Sequence, residues 1–228
     1  TLKKLIDEKF DLMIHMGDQI YADHIKAIGC LNPENEYRQL YRKVFGSNIM
    51  QKILRKGSHI MICDDHEFYN AVNNLNKNDP YCIAARNMYI EYQESLWGNE
   101  YSKCKNITFN KNNIIIPNIR FESVFNYDKD NPFISEVLQT DVIMCLKKKC
   151  KNVIVTSLPI LANNKIGSWL KSKIDKYSQD DSTLPKHSKN TINFLDKIRE
   201  SNCEIILVSG NLHFSSKSDI FYENKKIA

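Results

Sequence analysis

A chain of 228 residues, 42% hydrophobic and 26% charged, has ordinary globular composition and enough length for one domain with a sizeable core. The formal charge of +5 is mild. It excludes a strongly polybasic or polyacidic protein, and no apolar run approaches the roughly 18 residues needed to cross a bilayer.

In chain order, Leu2, Leu5, Ile6 and Phe10 fall near helical spacing and predict a helix over 2–10. A buried strand, Leu12–Met16, follows and stops at Gly17. Apolar positions between Pro33 and Lys56 predict one or two helices broken at Gly46, with Gly57 as a C-cap. The next strand is Ile60–Cys63. Helix followed directly by strand, twice, is the pattern of parallel α/β architecture.

An Asn-rich loop is expected over 70–79, then a helix from Pro80 to Trp97 and a polar surface loop over 99–113. Residues 114–125 read as β structure interrupted by Pro117. A helix over Glu136–Cys150 and a strand over Val153–Thr156 come next. The polar stretch 163–190 reads as a long excursion or flap, before a helix at Thr191–Ser201 and the strand Ile205–Ser209. Residues 212–227 suggest a last strand or hairpin. No repeat and no internal boundary stands out, so residues 1–228 are read as one domain.

Seven cysteines without a CxxC pair argue against a disulfide framework or a structural zinc module, and the odd count leans towards a reducing compartment. No signal peptide is visible, although the first residue is Thr1. Lys147, Lys148, Lys149 and Lys151 form the densest basic cluster. A solvated helix end explains such a run more simply than a nucleic-acid surface.

Three apolar runs end in side chains that bind metals: LMIHMGDQIYADH (12–24), HIMICDDHE (59–67) and IILVSGNLHF (205–214). Residues just past the carboxyl ends of neighbouring strands in an open α/β sheet converge on one crevice. Carboxylates and imidazoles meeting there point to a metal site and metal-assisted hydrolysis. Taken singly, Asp18 reads as a cap and Tyr21 as a core residue. Asp64-Asp65-His66-Glu67 is harder to explain as capping alone, because His66 adds a proton donor where a cap needs none. Alternation along a strand would point Asn211 and His213 to one side.

Together GDQIYADH, DDHE and SGNLHFS resemble the motifs of the PhoD-like branch of the calcineurin-like metallophosphoesterases. The resemblance extends to Tyr89–Gln93, Leu138-Gln139 and VIVTSLPI (153–160). It implies an αββα sandwich of mixed β-sheets flanked by helices, and hydrolysis of phosphate mono- or diesters. It further implies two or more metal ions, Fe3+ with Ca2+ or another divalent cation, that polarise the phosphoryl group and activate water for in-line attack. By the same resemblance Asp18 would bridge the cations, Tyr21 would bind the ferric one, and Asp65, Asn211 and His213 would complete the ligand set. His66 would contact the phosphate and protonate the leaving group, while Asp64, Glu67 and Asp23 would orient the ligands from behind.

Two departures accompany this. Asn211 stands where the family has Asp, which leaves one negative charge fewer, and only residues 1–11 precede the first strand, where the family has a further ligand-bearing strand. The expectation is therefore either a domain truncated at both ends or a relative that binds without catalysing. The implied partner is a small phosphoester, with no membrane span and no nucleic acid.

Overall fold

The computed structural model describes residues 2–68, 78–97, 103–125, 134–158 and 188–210, together with 221–222 and 225–226. The architecture is mixed α/β. The chain divides into two compact units, Thr1–Asn70 with Leu75–Tyr101, and Ala71–Asn74 with Ser102–Ala228.

The first unit is built on two parallel strands, β1 (Leu12–Met16) and β2 (Ser58–Ile62). Their register pairs Leu12 with Ser58 and Met16 with Ile62, so both strands finish level. Around them lie α1 (Leu2–Leu5), α2 (Asp23–Ala27), α3 (Pro33–Phe45), α4 (Asn48–Leu54) and α5 (Pro80–Tyr92). Local chemistry explains where the longer helices start. Asn32 caps α3 by accepting from the Asn35 amide, and Asp79 caps α5 by accepting from Tyr81; each helix has proline in its first turn. On α3, Tyr37 and Tyr41 are buried, and α3 packs on α5, which buries Cys82, Ala84, Ala85, Met88 and Tyr89.

The second unit holds a four-stranded mixed sheet in the order β3 (Cys104–Phe109), β4 (Asn112–Pro117), β5 (Lys151–Thr156), β6 (Ile205–Ser209). The first pair is antiparallel and the other two are parallel. Among the described residues, helices α6 (Ile119–Phe125), α7 (Glu136–Cys145) and α8 (Ser188–Ser201) accompany it, with α7 packed on α8. Ile115, Ile154, Ile205, Leu138, Val142, Phe194 and Ile198 form one apolar core between sheet and helices. A short antiparallel ladder joins Phe221–Tyr222 to Lys225–Lys226.

Several expectations change. The first helix ends at Leu5, and just past it Lys56 Nζ donates to the carbonyls of Ile6 and Glu8. Gly57 is not the C-cap of α4, which is Arg55. It is needed for φ +71, and a Cβ there would lie 2.7 Å from the Phe10 carbonyl oxygen. The polar stretch 99–113 contains β3, whose alternating half-buried residues pair with β4 through a tight turn at Asn110 (φ +46) and Lys111 (φ +66). Residues 114–125 are β only as far as Pro117, and Asn118 then starts α6 by accepting from Glu122. The helix expected to reach Trp97 ends at Tyr92 and gives way to a 3-10 turn over Glu94–Trp97.

Helix α7 stops at Cys145, short of Cys150. Buried Asn152 takes the Lys147 amide on Oδ1 and donates from Nδ2 to the carbonyls of Lys147, Cys150 and Glu204. The lysine run is thus a turn riveted to the sheet, with Lys147 on Thr108 and Lys151 paired with Glu204. Residues 188–190 belong to α8, while 69–77 and 159–187 lie outside the described residues, and with them most of the expected loop and flap.

Beneath the rungs of β1 and β2, His15 is buried with Nε2 3.1 Å from His59 Nδ1. Burial, helped by His59, lowers the His15 pKa to about 4. The unfolded chain, near 6.5, takes up this proton first as pH falls. Stability is therefore full above pH 6.5 and declines as pH drops through 4, by about 3 kcal/mol once both limits are passed. Denaturant titrations from pH 7 to 4 should show this slope and find it flattened in His15→Gln; an unchanged slope would assign acid sensitivity elsewhere.

Candidate metal centre

Because β1 and β2 finish level, the residues that follow them, Gly17-Asp18 and Cys63-Asp64-Asp65, leave the sheet side by side. Gly17 lets the two turns touch. Its φ is +95, and a Cβ on it would sit 2.3 Å from Asp64 Cβ. Asp18 follows at φ +57, a left-handed conformation that Asp accepts more readily than most residues.

DDHE forms a 3-10 turn over Asp65–Glu67 with Asp64 as its N-cap. The cap is reciprocal: the Asp64 side chain accepts from the Glu67 amide, and the Glu67 side chain accepts from the Asp64 amide at 2.8 Å. Glu67 reaches further. Its Oε2 also accepts from the Asp18 amide at 3.0 Å, and its Oε1 from the Gln19 amide at 2.5 Å and from Gln93 Nε2 at 3.3 Å. Gln93 also donates to the Tyr41 hydroxyl. One buried carboxylate thus ties both turns together and anchors them to α3. Burial pushes the Glu67 carboxyl up to about 8 against the pull of the Asp64 and Gln19 amides, and the charges of Asp18 and Asp64 add to the rise. Backbone amides left without such an acceptor cost about 1–3 kcal/mol each.

With Asp64 and Glu67 committed to the fold, Asp65 and His66 stand beside Asp18. Each of Asp18, Asp65 and His66 offers a ligand atom within 4.8 Å of the other two. Two carboxylates and an imidazole suit a hard or borderline cation, so the donor set fits the metal site expected from the sequence. His66 Nδ1 lies 2.6 Å from Asp23 Oδ1, which leaves Nε2 to face the cluster or a ligand. Burial lowers the His66 pKa, but the Asp65 charge, the Asp23 hydrogen bond and Asp18 outweigh it, and the net shift is upward. The carbonyl of His66 accepts from the Ala22 amide, which pins the two segments together.

Tyr21 covers the group. Its ring lies 4.3 Å from that of His66 at 36°, and its hydroxyl donates to Asp18 Oδ2 at 3.3 Å. The side chain is half exposed, and burial followed by the Asp18 charge holds its phenol above the ordinary value, in the protonated state.

Of the residues singled out by sequence, the structure brings together Asp18, Tyr21, Asp65 and His66 around one point, with Asp23, Asp64 and Glu67 behind them. Asn211 and His213 lie outside the described residues, which stop at Gly210 just past β6. Sequence reading missed the roles of Gln19 and Gln93. An uncharged amide carries no chemical signal of its own, and only its place beside Glu67 gives it one.

No protein-family model matches the sequence, and no curated protein does. In fold the chain is similar to a solved structure described as "Structure of PhoD", with a TM-score of 0.68 and 14% identity. The match covers 93% of this chain and 48% of that one, so the chain spans about half that protein's length. At this identity the likeness speaks for the fold alone.

Gly17→Ala should drive the two turns apart. Its expected signature is a clear drop in melting temperature together with loss of cation binding by calorimetry; retention of both would show that the 2.3 Å approach to Asp64 Cβ is relieved by backbone movement.

Proposed function

We propose that this chain belongs to a metal-dependent hydrolase of phosphate mono- or diesters. The observation that carries the reading is the meeting of Asp18, Asp65 and His66 within 4.8 Å at the level ends of two parallel strands. The likeness in fold to PhoD supports it, and one alignment spanning 93% of the chain supports treating 1–228 as a single, partial domain of this kind.

In this reading Asp18, Tyr21 and Asp65 would hold the cations, and Asn211 and His213 would complete the set. Fe3+ with Ca2+ or another divalent ion fits oxygen donors of this hardness. Cations so held supply Lewis-acid chemistry for phosphoryl transfer. Asp23 holds the His66 ring by Nδ1 so that a proton on Nε2 faces the ester oxygen. The hydrogen bond from Asp23 favours the protonated ring, the form a general acid requires. Tyr21 stacks on the ring and limits its rotation. Glu67 and Asp64 take no part in the chemistry and hold the two turns in register. The substrate is a small phosphoester, bound through the anionic group that the cations and His66 would face.

Asn211 in place of Asp gives a second reading weight: a relative that binds phosphoesters without cleaving them. Metal content after dialysis separates the two, with two or more cations per chain for the enzyme and one or none for the silent binder.

Asp18→Ala should abolish cation binding and aryl phosphate hydrolysis together. His66→Ala should lower turnover by about 10²–10⁴-fold while the metal stays bound. Loss of metal in the histidine variant would make His66 a ligand in place of an acid, and full metal-free turnover by the unaltered protein would reject the proposal.

A further inference from the structure

The peptide unit between Gly17 and Asp18 is gripped at both ends. Its N–H, on Asp18, donates to Glu67 Oε2 at 3.0 Å, and its C=O, on Gly17, accepts from Gln19 Nε2 at 2.8 Å. The second grip continues away from the site. Gln19 Oε1 lies 3.1 Å from His15 Nδ1, and His15 Nε2 lies 3.1 Å from His59 Nδ1.

The direction of this chain follows from elementary donor and acceptor rules. A carbonyl only accepts, so the Gln19 amide must turn its NH2 to Gly17 and its oxygen to His15. An amide oxygen also only accepts, so His15 carries its proton on Nδ1. In the neutral ring Nε2 is then a lone pair, and the donor to it is His59 Nδ1–H. The His59 ring is held in turn by a hydrogen bond with the Ile53 backbone. The neutral form of both rings is supported by their environment, since burial lowers the pKa of each.

We infer that His15 and Gln19 are positioning residues for the candidate metal centre: the chain His59, His15, Gln19 fixes the rotation of the Gly17–Asp18 peptide, and thereby the aim of the Asp18 carboxylate. The inference rests on the reading of Asp18 as a ligand. Backbone geometry explains why such a grip is needed. Gly17 at φ +95 and Asp18 at φ +57 both occupy left-handed conformations. Rotation of the peptide between them would swing the carboxylate away from Asp65 and His66 while leaving strand pairing untouched. Glu67 alone restrains only the N–H end, so the carbonyl end depends on Gln19, whose own orientation is set by a buried histidine.

The test pairs a ring readout with a binding readout. Long-range 15N–1H NMR of the metal-free, unaltered protein near pH 7.5 should find His15 and His59 both protonated on Nδ1, the less common tautomer of free imidazole. Gln19→Leu should release His15 from that form and weaken Mn2+ binding, measured by calorimetry, about 10–100-fold without a matching fall in melting temperature. Gln19→Glu keeps the volume but has no N–H for the Gly17 carbonyl, and it should weaken Mn2+ to a similar extent; it serves if the leucine variant does not fold. A proton on Nε2 of His15 in the unaltered protein would overturn the inference, as would folded Gln19 variants that bind Mn2+ as tightly as the original. If the unaltered protein shows both Nδ1 tautomers but takes up no Mn2+, the metallohydrolase reading falls and the grip on the Gly17–Asp18 peptide stands.

Discussion

Everything at the candidate centre depends on one buried carboxylate. Glu67 accepts from the backbone amides of Asp18, Gln19 and Asp64, and so converts two separate strand-end turns into one rigid body. Burying an ionisable group is costly, and the cost is offset here by the four donors that surround its two oxygens. The parallel pairing of β1 and β2 brings the turns level, and Gly17 lets them touch, but neither fixes their relative rotation. The strap does. The remaining groups inherit their positions from it: Asp18 through its own amide, Asp65 and His66 because they are the two residues enclosed between Asp64 and Glu67.

This arrangement separates two jobs within one tetrapeptide. The outer residues of DDHE face the fold and the inner pair faces the ligand space. The capping explanation and the functional explanation of the same four letters are therefore compatible, each applying to a different half. A similar division runs through GDQIYAD, where Gly17 and Gln19 shape the turn, Asp18 and Tyr21 face the cluster, and Asp23 reaches across to His66.

Much of this was legible in the amino-acid order because strand-end glycines and acids are strong local signals. Strand β1 appears where periodicity and Gly17 place it, and the break between α3 and α4 falls at Gly46. The failures share a cause: partners outside each element overrode its own pattern. Lys56, remote in sequence, took carbonyls just past α1; Asn152, five residues on, captured the amide that would have extended α7; and β4 recruited the neighbouring polar segment Cys104–Phe109 as an edge strand. At the site the partners are remote, since Gln93 and His59 act on turns many residues distant. Asn211 and His213 remain sequence expectations.

The split within DDHE also affects how descent is read from letters. A descendant that abandoned catalysis would still need Asp64 and Glu67 to keep its two turns joined, so half of the signature would persist under selection for folding alone. Surviving outer acids are thus poor witnesses to enzymatic activity in distant kin. Under the proposed function the discriminating characters are the two enclosed positions, 65 and 66, which that reading assigns to the ligand space.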